Sequence, residues 1–488
     1  MDAKMREKIK QYLTAKGMPT DIAISFNDVC VIDKKSDIAS RSDIRDLRTQ
    51  IARNTFLNIP LVSANMPDIT DARMAVALAH LGGCGFIHQF MSLERRVEEV
   101  KKAKRFESSI IENPITISVE QTLGAARDLM RQYQISSLLV LDAKDVLAGI
   151  LTSRDIKLAT DPSEKVKHIM TPMPLVTGLP TTTPEAAQEI LRKSKKEKLP
   201  LIDAAGKVAG LITAKDILKS RSNTRATRDS KGRLLVGASI GVNKKEIVDE
   251  VRALVGAGAD IILMDTARAF ATIVEDLTKK IKAAFPDVPL IVGNIDRPEA
   301  AEMLIKAGAD GLKVGIGPGS ACKTREETGV GTPQLTAIAE CAAVASEYGV
   351  PVMADGGIRS GSDLSKALIA GASSVMIGGL FGGAEEAPGE AFYEDGKKWK
   401  LFRGSASLEA QALRREEGGL DRIRPTEGVQ RRVAYRGEVA LIAGDLVGHL
   451  RSSMSYVGAH TIPELQELGE FRRQSPAGYM EGKPHKSE

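Results

Sequence analysis

The sequence predicts an α/β fold: a TIM (β/α)8 barrel interrupted by an inserted module. Three observations carry this. Eight apolar, β-branched runs alternate with helical segments, the pattern of a parallel sheet. Several of the runs end in polar or glycine-rich residues, as barrel strands do at the face that carries a site. Between the second and third runs lies a segment with an internal repeat, which breaks the count and marks an insertion.

In chain order the candidate strands are 60–65, 84–88, 234–238, 261–265, 289–293, 311–315, 352–355 and 374–378. Helical stretches such as 244–255, 297–307 and 363–370 lie between or after them. A doubly wound sheet is the structural alternative, and the count of eight units favours the barrel. The polar strand ends are Asp265-Thr266, Gly293-Asn294, Asp355-Gly356-Gly357 and Gly378-Gly379.

The insertion repeats itself. Gly149-Ile150-Leu151-Thr152-Ser153-Arg154-Asp155-Ile156 returns 61 residues later as Gly210-Leu211-Ile212-Thr213-Ala214-Lys215-Asp216-Ile217. Each copy follows a helix-like run (123–133 and 184–194) and a short apolar strand (137–141 and 200–203). The expected division is therefore 1–108 for the first part of the barrel, 109–222 for the insert and 223–488 for the rest. Residues 219–231 read as an exposed return into the barrel, 382–400 as weakly ordered, and 469–488 as a polar tail or subunit-packing arm.

Composition narrows the function classes. A chain of 488 residues is too long for one small domain, and 43% hydrophobic residues support a sizeable core. The 68 basic and 63 acidic residues nearly cancel to +5, a weak attraction to polyanions and not the patch of a nucleic-acid binder. Cys30, Cys84, Cys322 and Cys341 have neither metal-ligand spacing nor disulfide-scaffold density. The N-terminus lacks the apolar core of a signal peptide. No apolar run approaches the roughly 20 residues that span a bilayer. The expectation is a cytoplasmic protein with no membrane and no specific nucleic-acid partner.

The most informative stretch is 315–334, Gly-Ile-Gly-Pro-Gly-Ser-Ala-Cys-Lys-Thr-Arg-Glu-Glu-Thr-Gly-Val-Gly-Thr-Pro-Gln. Its five glycines and two prolines make a loop whose backbone can approach a ligand closely. Cys322 stands near its middle with Lys323 and Arg325 close after it, and nearby cations favour the nucleophilic thiolate. Asp355-Gly356-Gly357 and Gly378-Gly379 are glycine-rich strand ends with backbone N–H groups able to face an anion.

The loop closely resembles the active-site loop of the IMP dehydrogenase/GMP reductase family, and the resemblance extends over nearly the whole chain. It implies Cys322 as the nucleophile at purine C2, with Thr324 and Glu427 as the proton-handling pair. It implies a substrate pocket from Ser63, Met66, Asn294, Ser320, Asp355, Gly356, Gly357, Gly378, Gly379, Gly404 and Ser405. Asp265, Thr266 and Ala267 would meet the nicotinamide cofactor. The carbonyls of Gly315, Gly317 and Cys322 would hold a monovalent cation, potassium. The repeat resembles a tandem pair of CBS domains, in which Thr152, Asp155, Thr213 and Asp216 would bind ATP or another purine nucleotide; the same threonines also suit helix N-caps.

Within the family the stretch 404–427 contains no tyrosine, whereas dehydrogenases carry an Arg-Tyr base on a flap there. Together with the CBS-bearing, dehydrogenase-related branch that the chain resembles best, this implies a GMP reductase that converts GMP to IMP with NADPH (NADH or NAD being the other nicotinamide candidates). IMP dehydrogenase and an inactive, purine-sensing regulatory protein are the alternatives. The resemblance further implies a homotetramer or an octamer of paired tetramers.

Overall fold

The computed structural model describes residues 1–106, 111, 114–133, 135–214, 217, 224–242, 246–416 and 426–484. Eight parallel strands close into a barrel: β1 (Leu61–Ser63), β2 (Cys84–Ile87), β3 (Val236–Ile240), β4 (Ile261–Asp265), β5 (Leu290–Ile295), β6 (Gly311–Val314), β7 (Val352–Asp355) and β8 (Ser374–Ile377). Closure runs through Val375↔Leu61, Met376↔Val62 and Ile377↔Ser63 between β8 and β1. Each strand is apolar on both faces because one side fills the barrel and the other meets the helical ring. Val62, Phe86, Ala238, Ile262, Val292, Leu312, Ala354 and Val375 are accordingly buried. The register between β5 and β6 slips between Gly293 and Ile295, a local irregularity of the kind that re-aims a side chain at a barrel rim. Asn294 is the residue it re-aims.

The chain divides into two compact units. One comprises Met1–Lys104, Arg225–Thr227 and Leu234–Glu488; the other Arg105–Thr224 and Arg228–Arg233. In the second unit the repeat is visible as structure. Helix Leu123–Gln132 with the antiparallel pair Ser137–Leu141 and Leu147–Thr152 has its counterpart in helix Pro184–Ser194 with Lys198–Ile202 and Val208–Thr213. Each half has its own apolar centre, around Ala126, Leu138 and Val166 in one and Ala187, Leu199 and Ile212 in the other. Leu139, Ile150 and Leu211 join the halves.

Two expectations for the barrel unit need correction. Residues 382–400, expected to be weakly ordered, contain Ala391–Glu394 and the start of Lys397–Arg403, which pair with Gln430–Ala434 in a three-stranded antiparallel sheet. The hairpin turns on Asp395-Gly396, both at positive φ (50° and 71°), a two-residue Asp-Gly turn of the type that matches strand twist. Residues 469–488, expected to be a polar tail or a subunit-packing arm, include Phe471–Arg473, which pairs antiparallel with Val29–Val31 of the same chain. Phe471 is buried in the same core as the barrel. Among the described residues no helix is long and apolar enough to cross a membrane.

Packing between β2 and β3 leaves no room for a methyl group at Gly237, where a Cβ would lie 2.3 Å from the Phe86 ring. Gly237→Ala is expected to lower stability by about 1–3 kcal/mol through overpacking. The loss should shrink when Phe86→Leu is added, because the two sites share the clash. Urea midpoints followed by the fluorescence of the single tryptophan, Trp399, check this; additive losses would contradict it.

Candidate active site

At the C-terminal ends of the barrel strands a chain of polar side chains crosses the rim. Asp265 ends β4 and Asp355 ends β7, and between them rises Lys313 of β6, its side chain 3% exposed. The Lys313 Nζ lies 2.8 Å from Asp265 Oδ1 and 2.6 Å from Asp355 Oδ2. Burial alone would lower its pKa, but Asp265 and Asp355 outweigh that and hold the ammonium above its usual range. The row continues at both ends. Asn65 Nδ2 donates to Asp265 Oδ2 (2.9 Å), and Asn294 Nδ2 donates to Asp355 Oδ2 (2.9 Å) and to the Gly315 carbonyl (2.7 Å). Gln334 ties the strand ends together, donating to the carbonyls of Val314 and Asp355.

The glycine-rich loop rises from β6 beside this row. Gly315 has φ +153° and a Cβ there would lie 2.0 Å from the Asp355 carbonyl oxygen, so no other residue fits. Cys322 is exposed, and its thiol donates to Thr324 Oγ1 at 3.3 Å. Thr324 Oγ1 in turn donates to Glu427 Oε2 at 2.8 Å. The backbone holds this row together: Lys323 N donates to the Glu427 carbonyl (2.7 Å), Val429 N to the Ala321 carbonyl (3.0 Å), and Cys322 bridges Gly428. Of the two cations expected beside the thiol, Arg325 interacts electrostatically with Cys322. The Arg325 guanidinium donates to the carbonyls of Ile316 and Thr332 and braces the loop's two ends, while Lys323 Nζ sits 3.7 Å from Glu327.

The glycines expected to face a phosphate come together. A Cβ on Gly356 would lie 3.0 Å from Gly319 N, and one on Gly379 would lie 3.1 Å from Ser320 Oγ. Gly356 and Gly357 both adopt positive φ, 87° and 82°. Met66 Sδ lies beside Gly378, and Gly404 packs against the Ala321 carbonyl; Ser405 is exposed. Thr266 meets Gly293 and Asn294 through the backbone, and Ala267 is exposed next to it. Ser63 is a correction: it is fully buried, with its hydroxyl accepting from Thr70 (2.8 Å), and it supports the strand end from within. Of the three carbonyls expected to hold potassium, that of Gly315 is already engaged by Asn294. In the other unit, Thr152 N and Oγ1 both donate to Asp155 Oδ2 at 2.7 Å, closing a capping box. Thr213 ends its strand. Asp216 and the flap residues 417–425 lie outside the described residues.

The sequence reading missed Lys313, Asn65, Gln334 and a brace below the flap. Arg403 donates to buried Asp68 through Nε (2.8 Å), Nη2 and its backbone N (2.9 Å). The available signal was a lysine inside the apolar run Gly-Leu-Lys-Val, since a buried charge requires a partner. His88 offers no acid–base function: burial, reinforced by Arg95, Arg96 and Arg403, pushes its pKa down to about 3.

A family profile described as "IMP dehydrogenase / GMP reductase domain" matches residues 23–485. Among curated relatives, the protein named inosine-5'-monophosphate dehydrogenase of Aquifex aeolicus is 44% identical, over 99% of this chain and 97% of its own length. The protein of the same name from Nitrosopumilus maritimus is also 44% identical, over 95% of this chain and 98% of its own. Among solved structures, a cysteine-to-alanine variant of GMP reductase from Trypanosoma brucei in complex with guanosine 5'-monophosphate aligns with a TM-score of 0.87 and 39% identity, covering 97% of this chain and all of that one.

Thiol accessibility follows from this geometry. Cys322 and Cys30 are exposed, whereas burial pushes the thiol of Cys84 up to about 12 and that of Cys341 well above its ordinary value. Iodoacetamide at pH 8 should label Cys322 and Cys30 in the folded protein and spare Cys84 and Cys341. Peptide mapping reads the result, and equal labelling of all four would contradict the described burial.

Proposed function

The chain belongs to the IMP dehydrogenase/GMP reductase family of purine-nucleotide oxidoreductases, and within it we propose that the protein oxidises inosine 5'-monophosphate to xanthosine 5'-monophosphate with NAD. The expected direction, GMP reduction with NADPH, is corrected: full-length curated relatives at 44% identity are named inosine-5'-monophosphate dehydrogenase. The absent Arg-Tyr pair carried that expectation because thioimidate hydrolysis needs a base. The hydrogen-bonded Thr324–Glu427 pair beside Cys322 offers one, so the lack of tyrosine does not decide the direction.

The observation that carries the proposal is the row Cys322–Thr324–Glu427. The thiol proton has a path through the Thr324 hydroxyl to the Glu427 carboxylate, which frees the thiolate to bond to purine C2. A nicotinamide cofactor held beside Asp265 and Ala267 would supply the hydride acceptor, so that loss of hydride from C2 leaves a thioimidate on Cys322. After Glu427 has passed its proton to solvent, the same pair takes a proton from an attacking water. The C2–S bond then breaks, its electrons return to sulfur, and the product departs. Ser320, Gly356, Gly357 and Gly379 fit the nucleotide phosphate, and the Oδ1 of Asp355, which accepts no hydrogen bond among the described residues, fits its ribose. Asp265 and exposed Ala267 fit the nicotinamide riboside. The insert, read as a CBS pair, would serve as a separate regulatory site for purine nucleotides.

The assay is direct. IMP with NAD should give XMP and NADH, and Cys322→Ser should abolish both. Glu427→Gln should slow thioimidate hydrolysis by about 10²–10⁴-fold and hydride transfer less, so that an NADH burst precedes slow turnover. Consumption of NADPH with GMP and no XMP from IMP would overturn the proposal.

A further inference from the structure

We propose that Lys313 is a positioning residue that couples the two nucleotide pockets, through one ammonium shared by the carboxylate of each. The inference rests on the reading above, in which Asp355 meets the purine nucleotide and Asp265 the nicotinamide cofactor. The observations are specific to this lysine. It is buried, and its Nζ reaches Asp265 Oδ1 at 2.8 Å and Asp355 Oδ2 at 2.6 Å at once. Its stem packs against Gly293, where a Cβ would lie 2.5 Å from the Lys313 Cβ. The ammonium therefore has little freedom to choose one carboxylate over the other.

The hydrogen bonds leave each carboxylate in a defined state. Asp355 Oδ2 accepts from both Lys313 and Asn294, and among the described residues its Oδ1 accepts nothing, so one oxygen is presented to a ligand. Asp265 accepts from Lys313 on Oδ1 and from Asn65 on Oδ2. The two carboxylates and one ammonium carry a net charge of −1. Replacing the lysine by an apolar residue leaves −2 in a buried site, where an unpaired charge is strongly unfavourable. Both carboxylates then lose their common anchor, and both pockets lose their shape together.

Steady-state kinetics on the full chain tests this with four variants. Asp355→Asn should raise the KM for IMP, and Asp265→Asn the KM for NAD, each leaving the other within about threefold. Lys313→Met should raise both by about tenfold or more, the scale of leaving a buried charged group without its partner. Lys313→Arg, which can span both carboxylates, should keep both near wild type. The double variant Lys313→Met with Asp265→Asn restores the charge to −1 without restoring the anchor; it should recover part of the KM for IMP and leave that for NAD raised. This double variant carries the test even where Lys313→Met alone does not fold. A Lys313→Met enzyme that shifts one KM or neither would overturn the coupling, as would a double variant no better for IMP than the single one. If Asp355→Asn leaves the KM for IMP unchanged, the assignment of the pocket fails instead.

Discussion

The backbone pairing of Ala321–Lys323 with Glu427–Val429 is the constraint on which the candidate site depends. Three contacts join segments about a hundred residues apart: Lys323 N to the Glu427 carbonyl, Val429 N to the Ala321 carbonyl, and the bridge between Cys322 and Gly428. These contacts add to the bonds of Glu427 N to the Ala406 carbonyl and of Gly404 N to the Val429 carbonyl and bring the carboxylate of Glu427 to the cysteine loop. There it accepts from Thr324, which accepts from Cys322. A thiol, a hydroxyl and a carboxylate are thus held in one hydrogen-bonded row next to paired main chain, and such rigid support is what the proposed proton path requires.

A second layer fixes what surrounds that line. Arg325 clamps the two ends of the glycine-rich loop, and Arg403 anchors the segment before Gly404 to Asp68 in the loop after β1. On the other side the Asp265–Lys313–Asp355 row ties the ends of β4, β6 and β7 together. Asp68 and Lys313 are buried and Arg325 and Arg403 partly buried, and each charge is matched by an opposite charge or by carbonyls. Buried ions on their own add little stability, but breaking one partner away is strongly unfavourable. The arrangement therefore specifies geometry more than it adds stability.

The barrel was legible because strands covered on both faces read largely as Val, Ile, Leu and Ala runs, and all eight overlap the expected stretches, with β3 and β5 each running two residues past them. Secondary elements stabilised mainly by their partners were not. The Ala391–Glu394 and Lys397–Arg403 hairpin is rich in charge, and its one clear signal, Asp395-Gly396, was passed over. Phe471–Arg473 has a strand's identity only through Val29–Val31. In the site, glycines were legible because positive φ and close approach permit little else. Lys313 was hidden because periodicity treats a lysine as a surface residue, and the bracing role of Arg325 was hidden because sequence does not show that its guanidinium also meets carbonyls. Reaction direction was the least legible, since the same thiol, hydroxyl and carboxylate can handle protons for either half of the family's chemistry.

Direct detection of the covalent intermediate tests the account most closely. The enzyme is mixed with IMP and NAD, quenched in acid within a turnover and digested, and the peptides are analysed by mass spectrometry. The account predicts a purine-nucleotide adduct on the peptide that contains Cys322, more abundant in Glu427→Gln than in wild type, and absent from the peptides of Cys30, Cys84 and Cys341. NADH formation with no adduct on Cys322 at any time would contradict it.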